Sequence, residues 1–155
     1  MAPCSRFCAS SLRKHGSIEH RSGTDFADRA VQGRPGQDMP EQRILLVEDE
    51  ATTREILTEF LRREGYAVDS VATAGAASTC LDSIPYELVI ADWVLPDGDG
   101  TDVADAAAQL GAKTLIVTGY RSDLPAGAGD RHLVIWKGLG YSEIMAAVRR
   151  VLVCG

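Results

Sequence analysis

From Arg43 onward the chain alternates between two hydropathy patterns. Short apolar runs occur at RILLV (43–47), ELVIA (87–91), KTLIVTG (113–119) and HLVIW (132–136), and a more evenly alternating run at YAVDSVA (66–72). These lengths and compositions predict β-strands, the alternating one nearer a sheet edge. Between them, apolar residues recur every three or four positions. ATTREILTEFLRREG (51–65) places Thr53, Ile56, Leu57, Phe60 and Leu61 on one helical face, with Gly65 as a natural stop. TAGAASTCLDSI (73–84) opens on a capping Thr73 and sets Ala76, Ala77, Cys80, Leu81 and Ile84 at helical spacing. TDVADAAAQLG (101–111) is a shorter helix ending in glycine, and SEIMAAVRRVL (142–152) turns Ile144, Ala147, Val148, Val151 and Leu152 inward.

Strands that are apolar throughout, alternating with helices, predict a parallel sheet covered on both faces. The weak link is RSDLPAGAGD (121–130), where one Pro and two Gly leave a loop or a single turn in place of a fourth helix. Residues 1–38 carry no periodicity and few large apolar side chains, so burial cannot offset the entropy of ordering them. A disordered tail is expected there, followed by one domain over residues 41–154. Met39 stands directly before the first strand, which suggests a start site; an Arg-rich targeting tail is the alternative.

Composition refines this reading. At 155 residues and 45% hydrophobic content the chain can bury one ordinary core. Its net charge of −6 argues against a binder of phosphate backbones. The acidity is local: residues 1–38 hold six Lys/Arg against four Asp/Glu, residues 39–155 ten against eighteen. No run approaches the roughly 18 apolar residues of a membrane span. Cys4, Cys8, Cys80 and Cys154 lack zinc-site spacing and read as thiols in a reducing cytoplasm.

The chemistry lies at the strand ends. In an open parallel sheet, functional groups gather at the carboxyl ends of the strands. The first strand ends in Glu48-Asp49-Glu50, the third in Asp92, the fourth in Thr118 and the fifth in Lys137. Clustered carboxylates repel unless a hard cation sits between them, and Mg²⁺ suits oxygen ligands. With a lysine amine and a hydroxyl added, the set suits phosphoryl transfer with Asp92 as nucleophile. Asp97 and Asp99 do not complete a calcium loop, since no glycine or closing glutamate stands at the required positions. Glu50 reads as a surface acid.

The pieces ILLVEDE, LVIADWVLPDGDG, LIVTG and Lys137 at the end of the fifth strand, in that order, resemble the receiver domain of two-component response regulators, of the stand-alone type. The resemblance spans about Arg43 to Leu152. It implies a flavodoxin-like, doubly wound five-stranded parallel sheet of order 2-1-3-4-5, here with a reduced fourth helix. It implies phosphorylation of Asp92 by a histidine kinase or histidine phosphotransfer protein, with Mg²⁺ held by Glu48, Asp49, Asp92 and the backbone carbonyl of Val94, assisted by Thr118 and Lys137. Asp49 would touch the metal directly and Glu48 through water. Such a protein accepts a phosphoryl group and changes its contacts with a partner; it is not a turnover enzyme. No output domain is expected after the last helix.

Three positions depart from the family pattern. The usual Lys-Pro step is Lys137-Gly138, which leaves Lys137 less firmly aimed. The switch aromatic three residues before the lysine is Val134, while His132 and Trp136 fall on the other register or further from the rim. The Thr118–Lys137 interval is short. Signalling is therefore expected to open the segment 119–131 rather than rotate an aromatic. Two rival readings are a pseudo-receiver that binds without being phosphorylated and an aspartate-nucleophile phosphatase of the haloacid dehalogenase type. The latter needs an acid where Val94 stands.

Overall fold

The structure, a computed structural model, describes residues 42–119 and 127–153. The expected tail over 1–38, most of the segment 119–131, and Cys4, Cys8 and Cys154 lie outside these residues, while Cys80 stays a thiol.

The elements follow the alternation closely: β1 (Arg43–Val47), α1 (Ala51–Arg63), β2 (Ala67–Val71), α2 (Ala74–Ser83), β3 (Leu88–Asp92), a hairpin of β4 (Val94–Leu95) and β5 (Gly98–Asp99), α3 (Gly100–Gln109), β6 (Lys113–Thr118), α4 (Ala128–Arg131), β7 (Leu133–Trp136), a 3₁₀ turn at Lys137–Leu139, and α5 (Tyr141–Val153). The five long strands form one parallel sheet of order β2-β1-β3-β6-β7, the expected flavodoxin-like winding. Among the described residues the fourth helix is the single turn α4.

Because side chains alternate across a strand, each central strand feeds two cores. Ile44, Leu46, Leu88, Ile90, Leu115 and Val117 pack under α1 and α5 with Leu57, Leu61, Ile144 and Val148. Leu45, Val47, Val89 and Ala91 pack on the opposite face under α2 and α3 with Ala77, Leu81, Val103 and Ala107. Truncating a fully buried residue such as Ile90 to Ala should cost about 2–5 kcal/mol. A third, small cluster joins Trp93, Ala104 and Ile116, with Val134 against it.

Local signals set the helix ends. Glu50 is the N-cap of α1, accepting from the backbone N–H of Thr52 at 3.0 Å and Thr53 at 2.6 Å. Hydrogen bonds from Thr53 lead the causes that hold its carboxyl down at about 2. Glu50 is thus exposed, as expected of a surface acid, but has a defined structural job. Thr73 caps α2 as predicted, through Ala76 N–H at 3.1 Å. Gly65, at φ 96°, takes the left-handed conformation that ends α1.

The predicted face of α1 is shifted. Leu57, Thr58 and Leu61 are buried, while Phe60 is 40% exposed and stacks on Tyr141 of α5 with ring centroids 5.5 Å apart. Among the described residues Thr58 Oγ1 is a buried polar atom without a hydrogen-bond partner.

Candidate functional site

The parallel register carries the ends of β1, β3, β6 and β7 to one rim. Val47 pairs with Ala91, Asp92 with Val117, and Thr118 with Trp136. Glu48, Asp92, Thr118 and Lys137 each stand at or one step beyond these pairs. Glu48 is 1% exposed, Asp92 9% and Thr118 fully buried, whereas Asp49 is open to solvent. One carboxylate oxygen from each of Glu48, Asp49 and Asp92 lies within 4.8 Å of the others, close enough to share one cation.

Lys137 bridges the two buried acids. Its Nζ donates to Asp92 Oδ2 at 2.6 Å and to the Glu48 carboxylate at 2.8 Å. The expectation that Gly138 leaves Lys137 loosely aimed is therefore corrected: the two carboxylates aim it, and the 3₁₀ turn beginning at Lys137 carries its backbone. Burial raises the Glu48 pKa above its ordinary 4.5, and the Asp92 charge adds to this against the opposing Lys137. For Lys137, burial pulls the pKa down, but its hydrogen bonds to Asp92 and Glu48 outweigh that and leave it raised.

Two further contacts shape the acid rim. Arg54 of α1 turns back, so that one guanidinium nitrogen donates to the carbonyls of Glu48 at 2.7 Å and Asp49 at 3.1 Å. The loop after Asp92 folds sharply, with Gly100 N–H donating to Trp93 O at 2.9 Å. A Cβ at Gly100 would lie 1.9 Å from the Asp92 carbonyl oxygen, so this return admits only glycine. Val94, expected near the metal through its carbonyl, sits two residues past Asp92 in β4, opposite Asp99, with its side chain half exposed.

His132 is far from this chemistry in sequence register, as alternation indicated, but it is not idle. Its buried ring contacts Thr114 Oγ1 at 2.7 Å and Asp105 Oδ1 at 2.9 Å, and Arg131 reaches the same carboxylate at 2.6 Å. This network ties α4 and β7 to α3. No hydropathy period marks it, because its partners lie 18 and 27 residues away.

The geometry is that of an acidic, cation-bridged rim on a doubly wound sheet, and the comparisons with known proteins agree. Residues 44–130 match the response regulator receiver domain, and the chain belongs to that family. It is 36% identical over 115 residues to the transcriptional regulatory protein CutR of Streptomyces coelicolor, covering 69% of this chain and 52% of CutR. The chain thus spans about half the length of that relative. It is 32% identical over 81 residues to the receiver protein CpdR of Brucella abortus, covering 51% of this chain and 68% of that one. Among solved structures, TrrA of Thermotoga maritima in complex with Mg²⁺-BeF aligns with TM-score 0.63 and 32% identity, over 72% of this chain and 99% of TrrA. TrrA also aligns in its complex with the histidine kinase ThkA, at TM-score 0.63 and 30% identity, over 72% of this chain and 98% of TrrA.

Proposed function

We propose that this chain is the phosphoacceptor of a two-component relay, with Asp92 receiving the phosphoryl group from a phosphohistidine. The observation that carries this reading is the Lys137 bridge between two buried carboxylates, beside a third, exposed one. Lys137 holds the Asp92 carboxylate oriented while the anionic phosphoryl group approaches. An Asp92 carboxylate oxygen forms the new bond to phosphorus as the phosphorus–nitrogen bond to the donor imidazole breaks, and the imidazole keeps the electron pair. Glu48, Asp49, Asp92 and the Val94 carbonyl would hold Mg²⁺, which supplies charge neutralisation for the transferring group. Thr118, buried on the adjacent strand, is placed to donate a hydrogen bond to the product. The three acids fit that cation: Lys137 already compensates the two buried ones, and the exposed Asp49 beside them leaves the cluster an excess of negative charge.

A histidine kinase or phosphotransfer protein as donor is supported by the TrrA–ThkA complex, and Mg²⁺ by the Mg²⁺-BeF complex of TrrA. The acceptor works by changing its contacts with a downstream protein rather than by turnover, and a cytoplasmic setting fits such a partner. No helix among the described residues is long and apolar enough to cross a membrane. The test is intact mass after incubation with Mg²⁺ and a small acyl phosphate. One base-labile phosphate adduct, absent from Asp92→Asn, is the expected result. No adduct overturns the assignment and favours a non-phosphorylated binding module, and an undiminished adduct in Asp92→Asn overturns it by placing the phosphate on another residue.

A further inference from the structure

The hairpin that follows Asp92 is tied at its tip to a different part of the fold. Asp97 lies between β4 and β5, and its carboxylate accepts from Ala74 N–H at 2.7 Å and from Gly75 N–H at 2.9 Å. Both donors belong to the first turn of α2, whose cap position is already filled by Thr73. The contact is closely fitted: a Cβ on Gly75 would lie 3.3 Å from Asp97 Oδ2, and one on Gly98 would touch Ala74 at 3.5 Å. The two backbone hydrogen bonds hold the Asp97 carboxyl below its ordinary range, so it is the ionised form that α2 grips.

The hairpin has only two paired positions, Val94 with Asp99 and Leu95 with Gly98. Its base is fixed by the Gly100–Trp93 hydrogen bond. Such a short ribbon is too small to hold its own shape in water. An anchor at the tip therefore removes the freedom that would let the Val94 peptide rotate.

We propose that Asp97 is a positioning residue for the metal site, holding the Val94 carbonyl in place by tethering the hairpin tip to the N-terminal turn of α2. This rests on the reading of the rim as a Mg²⁺ site. Removing a group that orients a metal ligand lowers affinity about ten- to a hundredfold. Asp97 also makes the β2–α2 junction part of the site's support.

The test is calorimetric titration of the full chain with magnesium chloride, alongside thermal melting without metal. Asp97→Ala should weaken Mg²⁺ binding by about tenfold. Asp97→Asn, which keeps an acceptor oxygen, should lose less. Thr73→Ala removes the other cap of the same helix and should lower the melting temperature while leaving Mg²⁺ affinity at the wild-type value. Wild-type affinity in Asp97→Ala overturns the proposal alone. So does a loss in Thr73→Ala as large as in Asp97→Ala, because helix stability rather than the tether would then be responsible. A wild type that takes up no Mg²⁺ overturns the metal reading, and this proposal with it.

Discussion

Replacing Lys137 with Met should make the stability of the metal-free protein depend steeply on pH. The ammonium stands 2.6 Å from Asp92 and 2.8 Å from Glu48, whose side chains are 11% and 2% exposed. Without it, two carboxylates within 4.8 Å of each other face one another with no cation between them. At an effective dielectric of about 20 their repulsion at that distance is about 3.5 kcal/mol. This is an upper bound, since Lys137 is itself 27% exposed and water takes over part of its role. A net loss of about 2 kcal/mol near pH 8 follows. Glu48 is the group that relieves the strain by protonating, because burial already raises its pKa. A carboxyl with a raised folded pKa contributes its full stability below the ordinary 4.5 and loses it as pH rises through the folded value. Deleting Lys137 moves that loss to higher pH and enlarges it. The deficit of Lys137→Met should therefore shrink between about pH 8 and about pH 5, and added Mg²⁺ should reverse it at the upper end. Urea denaturation across that range, with and without Mg²⁺, measures this. A deficit that stays constant with pH and is indifferent to Mg²⁺ would show that the lysine stem contributes by packing, and the electrostatic account would fail.

Three other outcomes follow from the same geometry. Gly100→Ala should destabilise by more than about 2 kcal/mol in urea melts, since its Cβ meets the Asp92 carbonyl, whereas Gly129→Ala, with nothing within 4 Å, should not. Thr58→Val should stabilise by about 1 kcal/mol in the same assay, because the buried hydroxyl lacks a partner among the described residues. Mg²⁺ affinity, followed by calorimetry, should fall as pH is lowered through the raised Glu48 pKa, and Asp49→Ala should lose more affinity than Glu48→Ala.

The five-stranded sheet was legible because each long strand is a run of apolar residues, and the rim because strand ends in a parallel sheet share one side. The strand ends alone therefore place Glu48, Asp92 and Lys137 together. The errors have local causes. Helical spacing on α1 assigns Phe60 inward, but its ring stays 40% exposed and stacks on Tyr141 at the start of α5. Glu50 reads correctly as a surface acid, but its capping of α1 shows only in the backbone geometry of the first helical turn. The partners of Arg54, Asp97 and His132 are fixed by tertiary approach, which no one-dimensional period encodes. The binding of Asp97 to α2 spans more than twenty residues of sequence.

The chain contains two tryptophans, and each neighbours a charged residue of the rim: Trp93 follows Asp92 and Trp136 precedes Lys137. Trp93 is 7% exposed and packed against Ile116, Ala104 and Val134, while Trp136 is half-buried at the end of an outer strand. The intrinsic fluorescence of the protein therefore originates beside its chemistry. The shielded indole should emit at shorter wavelength than its wetter counterpart, so the two contributions separate in one spectrum. Occupancy of the acids and displacement of the lysine would then register as distinct changes in the unlabelled protein, with each tryptophan replaced by phenylalanine in turn to assign them.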